Sequence, residues 1–194
     1  MTHRRQFLLG ATAALLPLPL LAQVRPSIVQ TTNVADALAA AGGYDTFIEL
    51  ISRAGSIDIL RGAGPFTILA PNEAAIMRMP SSLREDINPS TGGSGAQRQD
   101  GDRVRLLAFA NMHIIEGRHT LAGFADRVTT MRTRNGNMVE VNAMRPGNTV
   151  IRIIGDSGFG VGGLTVRTAD VQLTGPDVIC SNGVILPISE PLIQ

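Results

Sequence analysis

The apolar residues change their period part-way along the chain, and this change limits the fold more than any single motif does. Up to about Met112 they recur mainly at helical spacing. Phe47, Leu50, Ile51 and Ala54 fall at i, i+3, i+4 and i+7, which predicts a helix capped by Asp45 and ended by Gly55. Asn33 is placed to cap an earlier helix carrying Val34, Ala37, Leu38 and Ala41, which Gly42-Gly43 stops. Ile57, Ile59 and Leu60 predict a helical turn up to Gly62, and Ser82 to Ile87 another. Asp102 is expected to cap a further helix running to Met112, with Val104, Leu107 and Ala108 on one side. One strand interrupts this half: Pro65 to Ala70, closed by Pro71 and followed by Asn72-Glu73-Ala74-Ala75, a capped helix start that Pro80 ends.

Beyond Met112 the chain reads as short strands between turn signals. They are expected at His113 to Ile115, Arg127 to Thr133, Met138 to Asn142, Thr149 to Ile154, Leu164 to Leu173 and Val184 to Ile188. Thr120 to Ala125 is a helical turn, and Asn135-Gly136, Pro146-Gly147, Gly175-Pro176 and Asn182-Gly183 mark turns. Helices gathered in one half and strands in the other predict an α+β fold rather than an alternating, parallel one.

Composition removes several classes of function. A chain of 194 residues holds one domain with a substantial core. Net charge +1, with 17% charged residues, provides no electrostatic footprint for nucleic acid and disfavours disorder. The single cysteine, Cys180, excludes an intrachain disulfide and a cysteine-cluster zinc site, and its apolar neighbours predict a buried structural thiol. Residues 88–101, rich in Gly, Ser and Pro, have nothing to bury and read as a mobile surface loop inserted in the domain.

At the amino end, Arg4 and Arg5 precede an uncharged apolar run from Phe7 to Ala22. The order Arg4-Arg5-Gln6-Phe7-Leu8 resembles the bacterial twin-arginine export signal. Pro17 and Pro19 break the run, which is shorter than the ~20 residues of a membrane span. The expected organisation is an export signal over 1–22, cleaved after Ala22, an extended segment over 23–32, and one domain over 33–194, working in the periplasm or outside the cell.

Three motifs suggest sharper chemistry. Gly155-Asp156-Ser157-Gly158 resembles the nucleophile segment of trypsin-like serine proteases, but no histidine sits in that family's setting, and the stretch suits a hairpin loop. A hydrolase centred on Ser157 is thus the remotest reading, and no enzyme activity is expected. Gly158, Gly160 and Gly163 satisfy a dinucleotide fingerprint, yet Leu164 to Thr168 reads as strand where that fingerprint demands a helix. His113, Glu116 and His119 carry ligating groups, but Gly117 breaks any helical arrangement of them, so neither metal nor other cofactor is expected.

Three segments together resemble one family. Gly64-Pro65-Phe66-Thr67-Ile68-Leu69-Ala70-Pro71-Asn72-Glu73-Ala74-Ala75-Ile76 is similar to the first signature box of the fasciclin domain, and Ser181-Asn182-Gly183-Val184-Ile185 to the start of the second. Between them Asn111-Met112-His113-Ile114-Ile115-Glu116-Gly117-Arg118 resembles the central Tyr-His segment, with Met112 in the tyrosine position. In the second box the usual His and Asp fall on Leu186 and Ser189, and Pro187 replaces an apolar residue. The resemblance implies a β-sandwich wedge flanked by helices, and a non-catalytic adhesion or binding module recognising a protein or envelope glycan. It also implies Met112, His113 and Ile114 as contact residues, with core packing as the alternative role for all three. A second functional reading is a carrier of a small apolar ligand, held in a cleft between helices and sheet that methionines and aliphatic residues could line.

Overall fold

The computed structural model describes residues 27–87, 96–145, 147–154 and 170–193. The export-signal residues Arg4, Arg5, Phe7 and Leu8, the first part of the expected loop, the Ser157 motif and the glycine fingerprint lie outside the described residues.

Seven helices and nine strands are described: β1 (Ile28–Val29), α1 (Val34–Ala41), α2 (Asp45–Arg53), α3 (Ile57–Arg61), β2 (Phe66–Pro71), α4 (Glu73–Met77), α5 (Ser81–Ile87), α6 (Ala96–Met112), β3 (Ile114–Glu116), α7 (Leu121–Phe124), β4 (Val128–Arg132), β5 (Met138–Arg145), β6 (Asn148–Ile154), β7 (Val171–Gln172), β8 (Val178–Ile179) and β9 (Gly183–Ile188). One sheet has the order β1-β8-β9-β2-β3 and the other β4-β5-β6-β7. Single bridges join them at Ile115–Thr133 and Leu173–Ile188, and they do not close into a barrel. The fold is α+β, as the segregated periods predict.

The five-stranded sheet is the middle of three layers. On β2, Ile68 and Ala70 face the helical core with Phe47, Leu50 and Ile51, while Leu69 faces the second sheet with Val139, Val141 and Ile151. On β9, Ile185 faces the helices, and Val184, Leu186 and Ile188 face the other sheet. Burial on both faces explains why these two strands, which pair in parallel, are continuous apolar runs. The β4–β5–β6 meander alternates buried and exposed residues, because its outer face meets water.

Local signals place most element ends. Asn33 and Asn72 accept hydrogen bonds from the N–H groups of Asp36 (2.9 Å) and Ala75 (2.8 Å), capping α1 and α4. Asp45 does not cap α2; it is the first helical residue, after Tyr44. The cap comes instead from Glu73, whose carboxylate accepts from the Thr46 N–H and hydroxyl, both at 2.7 Å. α6 also departs from expectation. It starts at Ala96, so Asp102 lies inside it and residues 96–101 are helical rather than loop. Its buried stripe is Leu106, Phe109 and Ala110, continued by His113 just past its end, whereas Val104 and Leu107 are exposed. Apolar residues surround this helix, so only the position of α2, with Phe47 edge-on to Phe109, decides which face is buried.

Candidate functional site

The second signature box begins on Asn182, which ties three elements together. Its side-chain oxygen accepts from the Val34 N–H at 2.8 Å, and its Nδ2 donates to Leu60 O and Gly62 O at 2.8 and 2.7 Å. The start of α1 and the end of α3 are thereby fixed to the loop before β9. Gly183 follows at a place where β9 lies against β2. A β-carbon there would fall inside van der Waals contact of the Phe66 carbonyl oxygen, and one on Gly64 would meet the Asn182 carbonyl oxygen in the same way. The two boxes are thus one junction, made of backbones that only glycine lets approach.

The central segment crosses to the other side of β2. Met112, His113 and Ile114, the expected contact residues, all have buried side chains. His113 sits at the exit of α6 with its ring against Phe47 and Phe109, at centroid distances of 5.5 and 4.4 Å. Nε2 accepts from the Leu192 N–H at 3.0 Å, so the imidazole proton belongs on Nδ1, which donates to Phe109 O at 2.8 Å. Burial lowers the pKa to about 4, partly opposed by the Phe109 bond. The ring is neutral at physiological pH and both its nitrogens are engaged.

Glu116 and His119 lie farther along, exposed and half-buried. His119 stacks on Phe124, and its N–H donates to Thr67 Oγ1, which donates to Gly117 O. Among the described residues no three His, Cys, Asp or Glu side chains are grouped to hold a metal. His113 could join such a set only by giving up the Leu192 bond.

Cys180 is buried beside the helical core, and burial pushes its thiol pKa up, with Arg118 acting in the opposite direction. A maleimide or aromatic disulfide reagent is expected to label it slowly in the native protein and rapidly in denaturant. Equal rates in the two states would contradict its burial.

Among the described residues, two grooves border the central segment. One, of about 510 Å³, runs between α5, α6 and the carboxyl-terminal segment and is lined by Leu83, Ile87, Phe109, Met112, Leu192 and Ile193 among others. Met112 is the one expected contact residue that borders it. The other, of about 480 Å³, opens between the β3 and β4 edges. Sequence reading missed both, since each is made by segments distant in the chain.

With this junction in view, the comparisons are decisive about kinship. The model of the fasciclin domain matches residues 42–194. The chain belongs to the fasciclin domain family. That family is associated with cell adhesion and is generally non-enzymatic. The match begins just after α1, which Asn182 nonetheless fixes to the rest of the fasciclin fold. The chain is 22% identical, over 84% of its length and 98% of the relative's, to the uncharacterized protein sll1735 of Synechocystis sp.. It also resembles the structure of a FAS1 domain pair from the insect cell adhesion molecule fasciclin I, with a TM-score of 0.52 and 23% identity. That likeness covers 79% of this chain and 46% of the insect one, so the chain spans about half of the pair. Among the described residues no helix is long and apolar enough to cross a membrane.

Proposed function

We propose that this chain is a non-catalytic binding module of the extracytoplasmic space, exported by the Arg4-Arg5 signal and recognising a protein or envelope-glycan partner by surface complementarity. The observation that carries this reading is how the signature residues are used. Asn72, Thr67, Asn182 and His113 all spend their polar groups on the fold's own backbone or loops, and none is aimed at a reacting centre. Such a framework supports a surface.

Cross-linking in intact cells, followed by identification of the captured species, tests the proposal. A reproducible envelope protein or glycan supports it, and recovery of the chain only among cytoplasmic proteins overturns it. Intact-mass analysis of the exported chain is expected to show residues 1–22 removed.

A second reading, a carrier of a small apolar ligand, is favoured by the groove at Met112, where the floor is aliphatic and aromatic. Native mass spectrometry of the purified protein separates the two. A stoichiometric apolar adduct, lost in a Met112→Glu variant, would select the carrier.

A further inference from the structure

Among the described residues β3 ends the five-stranded sheet and β4 ends the four-stranded one, and these two edges run antiparallel past each other. They meet at the Ile115–Thr133 bridge, where the Arg134 N–H donates to Ile114 O at 2.7 Å. After Glu116 the chain leaves the sheet. Arg118 reaches across to donate to Ser181 O at 2.9 Å, and His119 folds onto Phe124. The β4 edge is left exposed at Val128 and Thr130, and Thr130 lines the 480 Å³ groove with Ile115, Glu116, His119, Arg132 and Arg134.

Ladder alternation fixes which backbone groups on this edge turn away from β5. The Thr133 N–H donates to Asn137 O at 2.8 Å and the Ala143 N–H to Arg127 O at 3.0 Å. The odd-numbered residues of β4 therefore bond β5, and Val128 and Thr130 turn both N–H and C=O the other way. Both residues are exposed, Val128 by 48%. A row of alternating donors and acceptors on an exposed edge is a template for an added strand.

The charges around the groove select among peptides. Arg132 and Arg134 are exposed on its rim, and Glu116 is the acid in its lining. Glu140, the ladder partner of Thr130, is turned to Arg152 at 3.9 Å. An acidic glycan would satisfy the arginines, but it lacks the repeating N–H and C=O that match Val128 and Thr130.

We propose that this edge accepts an extended, acidic peptide segment of a partner protein as a strand added to β4, with main-chain hydrogen bonds to Val128 and Thr130 and carboxylates at Arg132 and Arg134. The inference rests on the binding-module reading and names its class of partner.

The test uses a fluorescent peptide of alternating Glu and Val, about six residues long, the usual length of a strand. Binding to the whole mature protein is followed by anisotropy, and amide exchange is followed at Val128 and Thr130. The peptide is expected to bind and to slow exchange at both amides. Methylating its alternate backbone nitrogens, or replacing its Glu by Lys, is expected to weaken binding at least tenfold. Thr130→Pro removes one outward donor without touching the β5 ladder, so binding is expected to fall while the fold is kept. The joint Arg132→Glu and Arg134→Glu variant supplies a second check that leaves the backbone alone. Absence of peptide binding, equal binding of the methylated peptide, or binding of a polyuronate oligomer in place of the peptide would each overturn the inference. Cross-linking that still captured an envelope partner would then leave the module reading standing and remove only this one.

Discussion

Replacing Gly183 by alanine is expected to destabilise the protein by roughly 3 kcal/mol or more, a large part of what holds a domain of this size together. The added methyl would lie inside contact of the Phe66 carbonyl oxygen and against Val34 Cγ2. A backbone oxygen cannot rotate out of the way as a side chain can. Relief requires β2 and β9 to separate where Phe66 pairs with Gly183, and where the Phe66 N–H donates to Asn182 O at 3.1 Å. Movement of the Asn182 backbone would also disturb the side chain that fixes α1 and α3. The effect should therefore spread from the middle sheet into the helical layer. Gly123→Ala in α7 is the control, since a methyl there meets only ordinary contact, 3.5 Å from Thr120 Oγ1. Its expected effect is within about 1 kcal/mol. Urea midpoints of both variants decide the matter. A loss below about 1 kcal/mol for Gly183→Ala would show that the two boxes are not the rigid junction described.

The second large effect is a pH dependence carried by His113. The folded-state pKa is about 4, below the ordinary 6.5, because burial disfavours the imidazolium. Between these values the unfolded chain binds a proton that the folded chain refuses. Above about pH 6.5 both states are neutral and the residue adds no pH dependence. As pH falls from there toward about 4, stability is lost at up to about 1.4 kcal/mol per pH unit, for a total near 3 kcal/mol. Protonation also removes the acceptor for the Leu192 N–H, so the carboxyl-terminal segment should loosen first. A His113→Asn variant is expected to be less stable at about pH 7, since it abandons ring packing and two hydrogen bonds, yet to lose less on acidification to about pH 5. Urea unfolding at the two pH values measures the difference. An identical pH slope in the two proteins would contradict this account.

Legibility followed the range of the interaction. The caps at Asn33 and Asn72 were readable because a side chain bonds an amide three residues on. The Asn135-Gly136 turn was readable as a local dipeptide signal, and β4 and β5 pair around it through backbone bonds between Thr133 and its neighbours Gly136 and Asn137. The cap of α2 was misread as Asp45, because its actual acceptor, Glu73, lies 27 residues away from Thr46. The buried face of α6 was misread because several faces of that helix carry apolar residues. β8 went unseen, being two residues long and specified by its neighbours β1 and β9 rather than by its own pattern.

By itself, the sequence determined most of the division into helices and strands among the described residues, the capped entry to α4 and the family. Each of these depends on neighbours a few residues apart or on short ordered motifs. Only the tertiary structure decided that Gly64 and Gly183 allow two backbones to meet, and that His113 spends its ring on Phe109 and on Leu192, 79 residues beyond it. Among the described residues, it alone left β4 at the edge of its sheet beside two arginines. The physical reason is that a residue's type states which bonds it can make, while burial and distant backbone determine which of those bonds are taken and which remain for a partner.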